Sequence, residues 1–274
     1  MKDREIQLGD RTLIMGILNV TPDSFSDGGN YSDPDRAFAR AIELEEQGAD
    51  ILDIGAESTR PGSPRISEAE ELRRLVPVLK RLNGQLGIPI SVDTYKAAVA
   101  ERALDYGAEI INDPSGLTFE PGLARVAAQR DAGLILNHMR GTPETWAKLP
   151  PAPDLLGAMF HDLEATISRA RLAKVEKSRL VIDPGLGFGK RKEQNTEILA
   201  RLSTLSKLEL PILVGPSRKS FLARKTDEET MFASAAAITA AILGGAHIVR
   251  VHDVRQMAAA AVVADMVVRG RPEE

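Results

Sequence analysis

Short apolar runs alternate with longer amphipathic segments eight times along the chain. The runs have the length of buried strands and the segments have the length of helices, so the pattern predicts repeated strand–helix units on a parallel sheet. Their spacing favours a closed (β/α)8 barrel that forms one domain over residues 1–274. The predicted strands cover residues 12–19, 50–55, 88–93, 109–113, 134–138, 179–183, 211–215 and 247–252.

Turn and capping residues mark the ends of the predicted helices. Ser67 and Glu70 have the spacing of a capping box, and Pro34 suits the first position of a helix. Residues 231–246 are rich in small side chains, which indicates a helix that packs closely against a neighbour. That neighbour is either the barrel wall or a second subunit.

Six predicted strands end close to a polar residue that precedes a loop with glycine or proline. Because the carboxyl ends of parallel strands meet at one rim, these side chains are expected to line a shared polar pocket. For single residues a structural role explains the pattern as well, since Asp93 could cap the next helix and Asn112 or Asp113 could form an Asx turn before Pro114. The polar residues are Asn19, Glu57, Asp93, Asn112, Asp183, Arg250 and His252.

The glycine-rich segment 181–190 does not match a phosphate-binding loop. Gly185 and Gly189 are separated by three residues where a Walker motif has four. The glycines are instead expected to let the backbone approach a ligand near Asp183. The segment around Lys219 lacks the spacing of a serine nucleophile, so no covalent nucleophile is predicted. Lys219 is either a surface charge or a donor over the barrel mouth.

The last predicted strand carries a sharper electrostatic signal. Alternation places Arg250 and His252 on one face, and two potential cations at a strand end favour an anion such as phosphate. A structural ion pair between Arg250 and a nearby carboxylate is the alternative. The other histidines do not have the spacing of a zinc site.

Composition narrows the possible functions further. The chain has a net charge of −4 and no cysteine, which argues against a general nucleic-acid footprint and excludes disulfides and thiolate chemistry. No apolar run reaches the length of a membrane span, and the first residues contain no apolar signal region. We therefore expect a cytoplasmic protein without a nucleic-acid or membrane partner.

Eight segments carry a resemblance to a known family. They are MGILNVTPDSFSDGG (15–29), GADILDIGAESTRPG (48–62), SVDTYK (91–96), IINDPSG (110–116), NHMRGTP (137–143), IDPGLGFGK (182–190), VGPSRKSF (214–221) and RVHDV (250–254). They span nearly the whole chain, and the first two are highly specific. In the same order, they resemble segments of the dihydropteroate synthases of folate biosynthesis.

The resemblance implies a (β/α)8 barrel that joins 6-hydroxymethyl-7,8-dihydropterin pyrophosphate to 4-aminobenzoate and releases pyrophosphate. It also implies a dissociative mechanism, in which pyrophosphate leaves first and the arylamine then attacks a resonance-stabilised pterin cation. Such a mechanism needs no nucleophilic side chain. A bound Mg²⁺ and a homodimer through the later helices are implied as well.

The resemblance further assigns site residues. The pterin would be bound by Asp93, Asn112, Met139, Asp183, Phe188 and Lys219. The pyrophosphate would be bound by Asn19, Arg250 and His252, with Mg²⁺ held by Asn19 and pyrophosphate oxygens. The aminobenzoate would lie against Phe25, Thr59, Arg60, Pro61, Phe188 and Ser220. The residues that carry catalysis would be Lys219, Asp93 and Arg250.

Three residues depart from the pattern of that family. Pro114 and Leu117 stand where valine and glycine are usual, and Pro216 stands where a small residue is usual. Two other functions are alternatives: a pterin-binding methyltransferase that transfers a methyl group from a methylated folate to a corrinoid, and a pterin-binding paralogue without activity. The methyltransferase would need neither the TPDSFSDGG and ESTRPG segments nor a pyrophosphate site, which argues against it.

Overall fold

The computed structural model describes residues 5–21, 34–58 and 62–269, which form the (β/α)8 barrel that the sequence predicts. The strands are β1 (Leu13–Asn19), β2 (Ile51–Gly55), β3 (Ile90–Asp93), β4 (Ile110–Asp113), β5 (Gly133–Asn137), β6 (Leu180–Asp183), β7 (Leu213–Val214) and β8 (Ile248–Val251). The helices are α1 (Pro34–Glu46), α2 (Glu68–Leu82), α3 (Ala97–Asp105), α4 (Leu123–Gln129), α5 (Leu155–Leu172), α6 (Lys192–Ala200), α7 (Asp227–Leu243) and α8 (Val254–Arg269). Short 3-10 helices cover Trp146–Lys148, Lys177–Arg179, Leu202–Leu208 and Ser220–Leu222.

The strands form one parallel sheet in the order β6, β5, β4, β3, β2, β1, β8, β7. The two ends of this order meet at an isolated parallel bridge between Ile182 and Ile212. A hydrogen bond from Ile182 N to Pro211 O (3.0 Å) supports the bridge. The sheet therefore closes on itself, and we call this junction between β6 and β7 the seam.

The eight strands lie where the apolar runs predict them, with ends that differ by at most two residues. The clearest difference is β7, which covers Leu213–Val214 within the predicted 211–215. Pro211 and Pro216 explain the difference, because a proline nitrogen has no hydrogen to donate to a neighbouring strand.

Two apolar layers stabilise the barrel. The outer layer lies between the sheet and the helices and includes Leu52 of β2 and Leu75 of α2. The inner apolar layer fills the amino-terminal half of the barrel interior, where Ile6 and Leu8 pack against it. Its members are Leu13, Met15, Ile51, Ile110, Ile135, Leu213 and Ile248. The carboxyl-terminal half of the interior is left to polar side chains.

The start of α2 matches only half of the predicted capping box. The Ser67 hydroxyl accepts a hydrogen bond from Glu70 N (3.2 Å), as expected. The Glu70 carboxylate does not return the contact, because it pairs with Arg73 (2.7 Å) and Arg74 (2.6 Å) instead. Ion pairing along the helix has therefore replaced the second half of the motif.

The small-residue helix α7 packs on the barrel and on α8. It buries Ala237 and Ile238, which agrees with the barrel-wall interpretation. It also leaves Phe232 61% exposed, and α8, which packs on α7, leaves Val263 (61%) and Val267 (71%) exposed.

Within the described residues, no helix carries an apolar stretch of the length that crossing a membrane requires.

Candidate active site

Along four strands, the side chains that face the barrel interior change from apolar to polar between one inward-facing residue and the next. Alternate residues of a strand share a face, so each inward-facing apolar residue is followed two positions later by an inward-facing polar one. The four steps are Ile51 to Asp53, Ile110 to Asn112, Val181 to Asp183 and Ile248 to Arg250. The predicted polar cluster is thus present at the carboxyl ends of the strands.

Arg250 connects the acidic side chains of this cluster. Its Nε donates to Asp53 Oδ2 (2.6 Å), and its Nη2 donates to Asp93 Oδ2 (2.8 Å). Asn112 joins the cluster through a hydrogen bond from its Nδ2 to Asp53 Oδ2 (3.1 Å). The ion pair with a carboxylate, which the sequence left open as an alternative for Arg250, is therefore present. Whether Arg250 also binds an anion stays a prediction.

Burial sets the protonation of this cluster. Loss of hydration raises the pKa of Asp93 to about 7, with Arg250 opposing the shift and Asp53 adding to it. Burial alone would lower the pKa of Arg250, but Asp53 and Asp93 raise it above the usual value, so the guanidinium stays charged. Asp93 can therefore exchange a proton near neutral pH beside a permanent positive charge.

Sequence reasoning missed Asp53, which is fully buried at the centre of the cluster. The signal was available, because an acid inside the apolar run 50–55 is rarely buried without a partner. Alternation from Ile51 also places its side chain inside the barrel. The partner could not be identified, since Arg250 lies 197 residues away in the chain.

Asp183 and Lys219 form a second group across the seam. The Asp183 Oδ1 accepts from Gly185 N (2.7 Å), which fixes the carboxylate. The Lys219 Nζ donates to Leu186 O and lies 4.6 Å from the centroid of the Phe188 ring. Burial lowers the pKa of Lys219 to about 8, with Asp183 opposing the shift, and burial raises the pKa of Asp183. Lys219 is thus a donor beside the polar cluster rather than a surface charge.

Two glycines after β6, Gly185 and Gly189, approach neighbouring backbone, and an approach of this loop to a ligand near Asp183 stays a prediction. Gly185 has φ +67°, and a Cβ there would lie 2.0 Å from His138 O. Lys190 fixes the same loop, because its buried Nζ donates to the carbonyls of Gly185 (2.7 Å), His138 (3.0 Å) and Phe188 (3.3 Å). The amine of Lys190 therefore fixes the loop that carries Phe188.

His252 lies beside Arg250, as the alternation predicts, but it is not a second cation. Burial lowers the pKa of His252 to about 4, and the charge of Arg250 adds to the shift. The ring is neutral at pH 7 and keeps one N–H to donate. Its Nδ1 lies 3.2 Å from the hydroxyl of Ser217.

Asn19 ends β1 at the same rim. A Cβ on Gly55 would lie 3.4 Å from Asn19 Oδ1 and 3.9 Å from Asp93 Oδ2, so glycine leaves space between the two side chains. Among the described residues, no group of three or more acidic, histidine or cysteine side chains could hold a metal ion. The Asn19 amide oxygen is nonetheless a ligand that a hard cation such as Mg²⁺ accepts.

The remaining predicted site residues divide into two groups. Met139 is half-buried after β5, and Ser220 is exposed at the start of the 3-10 helix that follows Lys219. The other four lie outside the described residues, namely Phe25, Thr59, Arg60 and Pro61.

Glu57 belongs to a separate network. Its carboxylate accepts from the amine of Lys96 and from Tyr95 OH (3.0 Å), and Lys96 also pairs with the buried Glu71. A further hydrogen bond from Ile66 N (3.3 Å) joins Glu57 to the far end of the 57–66 segment. Glu57 therefore ties this segment to the barrel rather than lining the polar cluster.

The unusual Leu117 occupies a position that favours glycine. Its φ is +61°, in the left-handed region, and its side chain is buried. Asp113 supports the turn, since its Oδ2 accepts from Leu117 N (2.6 Å) and its Oδ1 accepts from Ser115 N (2.8 Å). The Asx turn thus belongs to Asp113, whereas Asn112 faces the polar cluster. Pro114 contributes its carbonyl, which accepts from Asn137 Nδ2 (2.7 Å).

Comparisons with known protein families and solved structures support the interpretation as a pterin-binding barrel. The family model of the pterin-binding enzymes matches residues 15–252. The chain is 47% identical over 261 residues to a dihydropteroate synthase of Synechocystis, a match that covers 94% of this chain and 90% of that protein.

Solved structures agree with the barrel over nearly the whole chain. A Clostridium difficile dihydropteroate synthase, crystallised in the presence of pteroic acid, is 42% identical with a TM-score of 0.91, covering 97% of this chain and 100% of that chain. A Xanthomonas albilineans dihydropteroate synthase with 4-aminobenzoic acid is 41% identical with a TM-score of 0.88, covering 96% of this chain and 95% of that chain.

Proposed function

The chain belongs to the dihydropteroate synthases, a group of pterin-binding enzymes, and we propose how its barrel rim carries out their reaction. The enzyme is a transferase that joins 6-hydroxymethyl-7,8-dihydropterin pyrophosphate to 4-aminobenzoate. A C–N bond forms between the pterin methylene carbon and the arylamine, the C–O bond to pyrophosphate breaks, and the amine loses a proton. The observation that carries the residue assignment is the convergence of Asp93, Asn112, Asp183 and Arg250 at the carboxyl ends of their strands.

The proposed pterin site uses complementary hydrogen bonds. Asp183 would accept two parallel bonds from the pterin N3–H and 2-amino group, and its contact with Gly185 N holds the carboxylate ready. Lys219 would donate to the ring carbonyl, an interaction that its present contact with Leu186 O resembles. Asn112 and Asp93 would bind the other edge of the ring, with Met139 and Phe188 as apolar walls. An apolar analogue would leave these groups unpaired and be rejected.

Arg250 is proposed to contribute to the binding of both the pyrophosphate and the pterin ring of the first substrate. In the present arrangement it neutralises Asp53 and Asp93. A pyrophosphate beside it would compete for the guanidinium and free the Asp93 carboxylate to bind the pterin. This exchange would couple recognition of the anion to recognition of the ring.

The rest of the proposed pyrophosphate site is Asn19 and His252. Asn19 would hold Mg²⁺ through its amide oxygen, together with pyrophosphate oxygens of the substrate. The metal would supply positive charge that stabilises the leaving group. The neutral His252 would donate a hydrogen bond from its remaining N–H.

The proposed mechanism is dissociative, because the described site offers charge stabilisation and orientation. The Asp183 carboxylate, and the Asp93 carboxylate once pyrophosphate competes for Arg250, would place negative charge beside the ring, which favours a pterin cation as pyrophosphate leaves. The arylamine would then attack that cation. Its proposed binding residues are Phe25, Thr59, Arg60, Pro61, Phe188 and Ser220.

A homodimer through α7 and α8 is also proposed. The exposed apolar side chains of these helices, namely Phe232, Val263 and Val267, support it, since large exposed apolar patches mark interaction surfaces. Sedimentation should give a dimer for the native chain and a monomer for Phe232→Glu. The control is Leu172→Glu at the end of α5, where the native leucine is 80% exposed. A monomeric native chain would contradict the proposal.

The experiment that tests the reaction is an assay of pyrophosphate release with and without 4-aminobenzoate. We expect rapid release and formation of 7,8-dihydropteroate only when both substrates are present. Lys219→Met should abolish product formation, whereas Lys174→Met, at an exposed turn after α5, should not. If the protein binds the pterin but forms no product, it is a pterin-binding paralogue without activity.

A further inference from the structure

The hydroxyl of Ser217 makes two contacts with the same histidine. Ser217 Oγ accepts from the backbone N of His252 (3.2 Å) and lies 3.2 Å from the ring atom Nδ1 of His252. Ser217 is almost completely buried. The pair links the loop after β7 to the loop after β8.

The contacts narrow the position of the hydroxyl hydrogen to two arrangements. The backbone N–H can only donate, so the Ser217 oxygen accepts from it. A hydroxyl oxygen can accept a second hydrogen bond, so the contact with the ring fits either donation from the Ser217 hydroxyl to Nδ1 or donation from an Nδ1–H to Ser217 Oγ. The first arrangement gives the hydroxyl hydrogen an acceptor among the described residues, leaves Nδ1 without a hydrogen and puts the ring hydrogen on Nε2.

Neighbouring contacts next to Ser217 and His252 also hold the two loops together. Arg218 donates to both carboxylate oxygens of Asp253 through Nε and Nη2, each at 2.8 Å. The backbone N of Arg218 donates to Ser234 Oγ of α7 (3.0 Å). Ser217 and His252 are thus the neighbours of a bidentate ion pair, and their contact is held in place from both loops.

We propose that Ser217 is a positioning residue that holds His252 as the Nε2–H tautomer and so provides a neutral donor for the substrate pyrophosphate. The inference rests on the proposed function for the identity of the anion. The tautomer itself is a property of the free protein. Because Ser217 occupies Nδ1, Nε2 is the ring nitrogen that remains available to a ligand.

A neutral donor suits this place. Arg250 already supplies the permanent charge beside the ring, and a protonated imidazole would be repelled by Arg250 and by Lys219. The Nε2–H can strengthen its hydrogen bond as the leaving oxygen gains charge, without the cost of burying another cation. Ser217 would secure this donor by excluding the other tautomer.

Nitrogen-15 NMR of histidine-labelled protein tests the tautomer directly, because the chain contains four histidines and His252→Gln identifies the relevant signal. In the free native protein we expect a hydrogen on Nε2 and a hydrogen-bonded, unprotonated Nδ1. Ser217→Ala should shift the Nδ1 signal away from its hydrogen-bonded position and allow both tautomers. Ser217→Thr, which keeps the hydroxyl, should restore the native signal.

Steady-state kinetics tests the consequence for the substrate. Ser217→Ala should lower kcat/KM for the pterin pyrophosphate about fivefold to tenfold, the effect of one neutral hydrogen bond, and leave the affinity for bare pterin unchanged. Ser234→Ala is the matched control, because it removes a buried serine hydroxyl from the same loop junction but does not touch His252. It should leave the His252 signal unchanged.

Three results would overturn the proposal: a hydrogen on Nδ1 in the native protein, an unchanged His252 signal in Ser217→Ala, or equal loss of pterin and pterin pyrophosphate binding. Failure of the proposed function would look different. The tautomer would then be as expected, but the native protein would release no pyrophosphate.

Discussion

The lower and upper halves of the barrel interior come from the same strands but obey different rules. The lower half is the inner apolar layer, in which Ile51 and Ile248 are almost completely buried. About 7 Å further along each strand, Asp53 and Arg250 occupy the same face. The lower layer is satisfied by packing alone, whereas the upper layer depends on ion pairs and hydrogen bonds.

The upper layer is also incomplete by itself. Asp53 Oδ1 and Ser91 Oγ are buried without a hydrogen-bond partner among the described residues, although they are register neighbours on β2 and β3. Unpaired polar atoms are rare in protein interiors because each one destabilises the fold. The comparison teaches that this chain gives up stability in the upper half, where a ligand can supply the missing partners.

The largest effect should come from removing the cation of the upper layer. Arg250→Ala leaves Asp53 and Asp93 buried without a counter-charge, which should lower the unfolding free energy by about 3–5 kcal/mol. Urea denaturation measures this loss, with the exposed Arg255→Ala as control. The variant should also bind the pterin pyrophosphate much more weakly than bare pterin in calorimetric titrations. Equal losses for both ligands would place Arg250 against the pterin ring or in the fold.

Ile51→Ala breaks the lower layer and should separate stability from binding. Truncation of this buried side chain should cost about 2–5 kcal/mol of unfolding free energy through lost contacts and a cavity, and Ile51→Val only about 1 kcal/mol. The affinity of the folded variant for pterin should be unchanged in calorimetry below its melting transition. A large drop in affinity would show that the two layers are not independent.

Asp183→Asn should produce the opposite result. The amide presents a donor where the pterin also donates, so the binding free energy of the pterin should become less favourable by about 2–4 kcal/mol. The unfolding free energy should stay the same or rise, because a buried charge has been removed. Asp162→Asn, at an exposed carboxylate that contacts His138, is the control. Unchanged pterin affinity would disprove the assignment of Asp183.

A smaller effect is expected from pH. The pKa of Asp93 is about 7 in the fold and close to its ordinary value in the unfolded chain, so folding takes up a proton between these limits. Stability contributed by the protonated form is complete below about pH 4 and is lost as the pH rises towards 7. From about pH 5 to about pH 7, the native protein should therefore lose about 2 kcal/mol more stability than Asp93→Asn. Parallel stability curves for the two proteins would rule out the raised pKa.

The fold could be predicted because each strand is an apolar run bounded by turn residues. The rim residues Asn19, Asp93, Asn112 and Asp183 could be predicted for the same reason, since a strand end is a local feature. Barrel closure then converts local strand ends into one cluster. No long-range contact had to be known in advance.

The electrostatics of the site could not be predicted in this way. The neutral state of His252 depends on burial and on Arg250, and the pKa of Asp93 depends on burial, on Arg250 and on Asp53. These quantities come from the packing of strands that are far apart in the chain. The role of Gly185 was hidden for a similar reason, because the atom that forbids a side chain there belongs to His138, which follows β5.

The seam is the place where the barrel can open transiently, because an isolated bridge joins its two edges. Asp183 ends β6 on one side of it and Lys219 follows β7 on the other, so a pterin held by both would act as a staple across the joint. The Ile182 amide, which bonds to Pro211 O, should then exchange its hydrogen for deuterium more slowly when the ligand is bound. The chain has no native cysteine, so a single engineered disulfide could lock the joint without competing thiols. Ligand binding would in this sense also stabilise the closed form of the barrel.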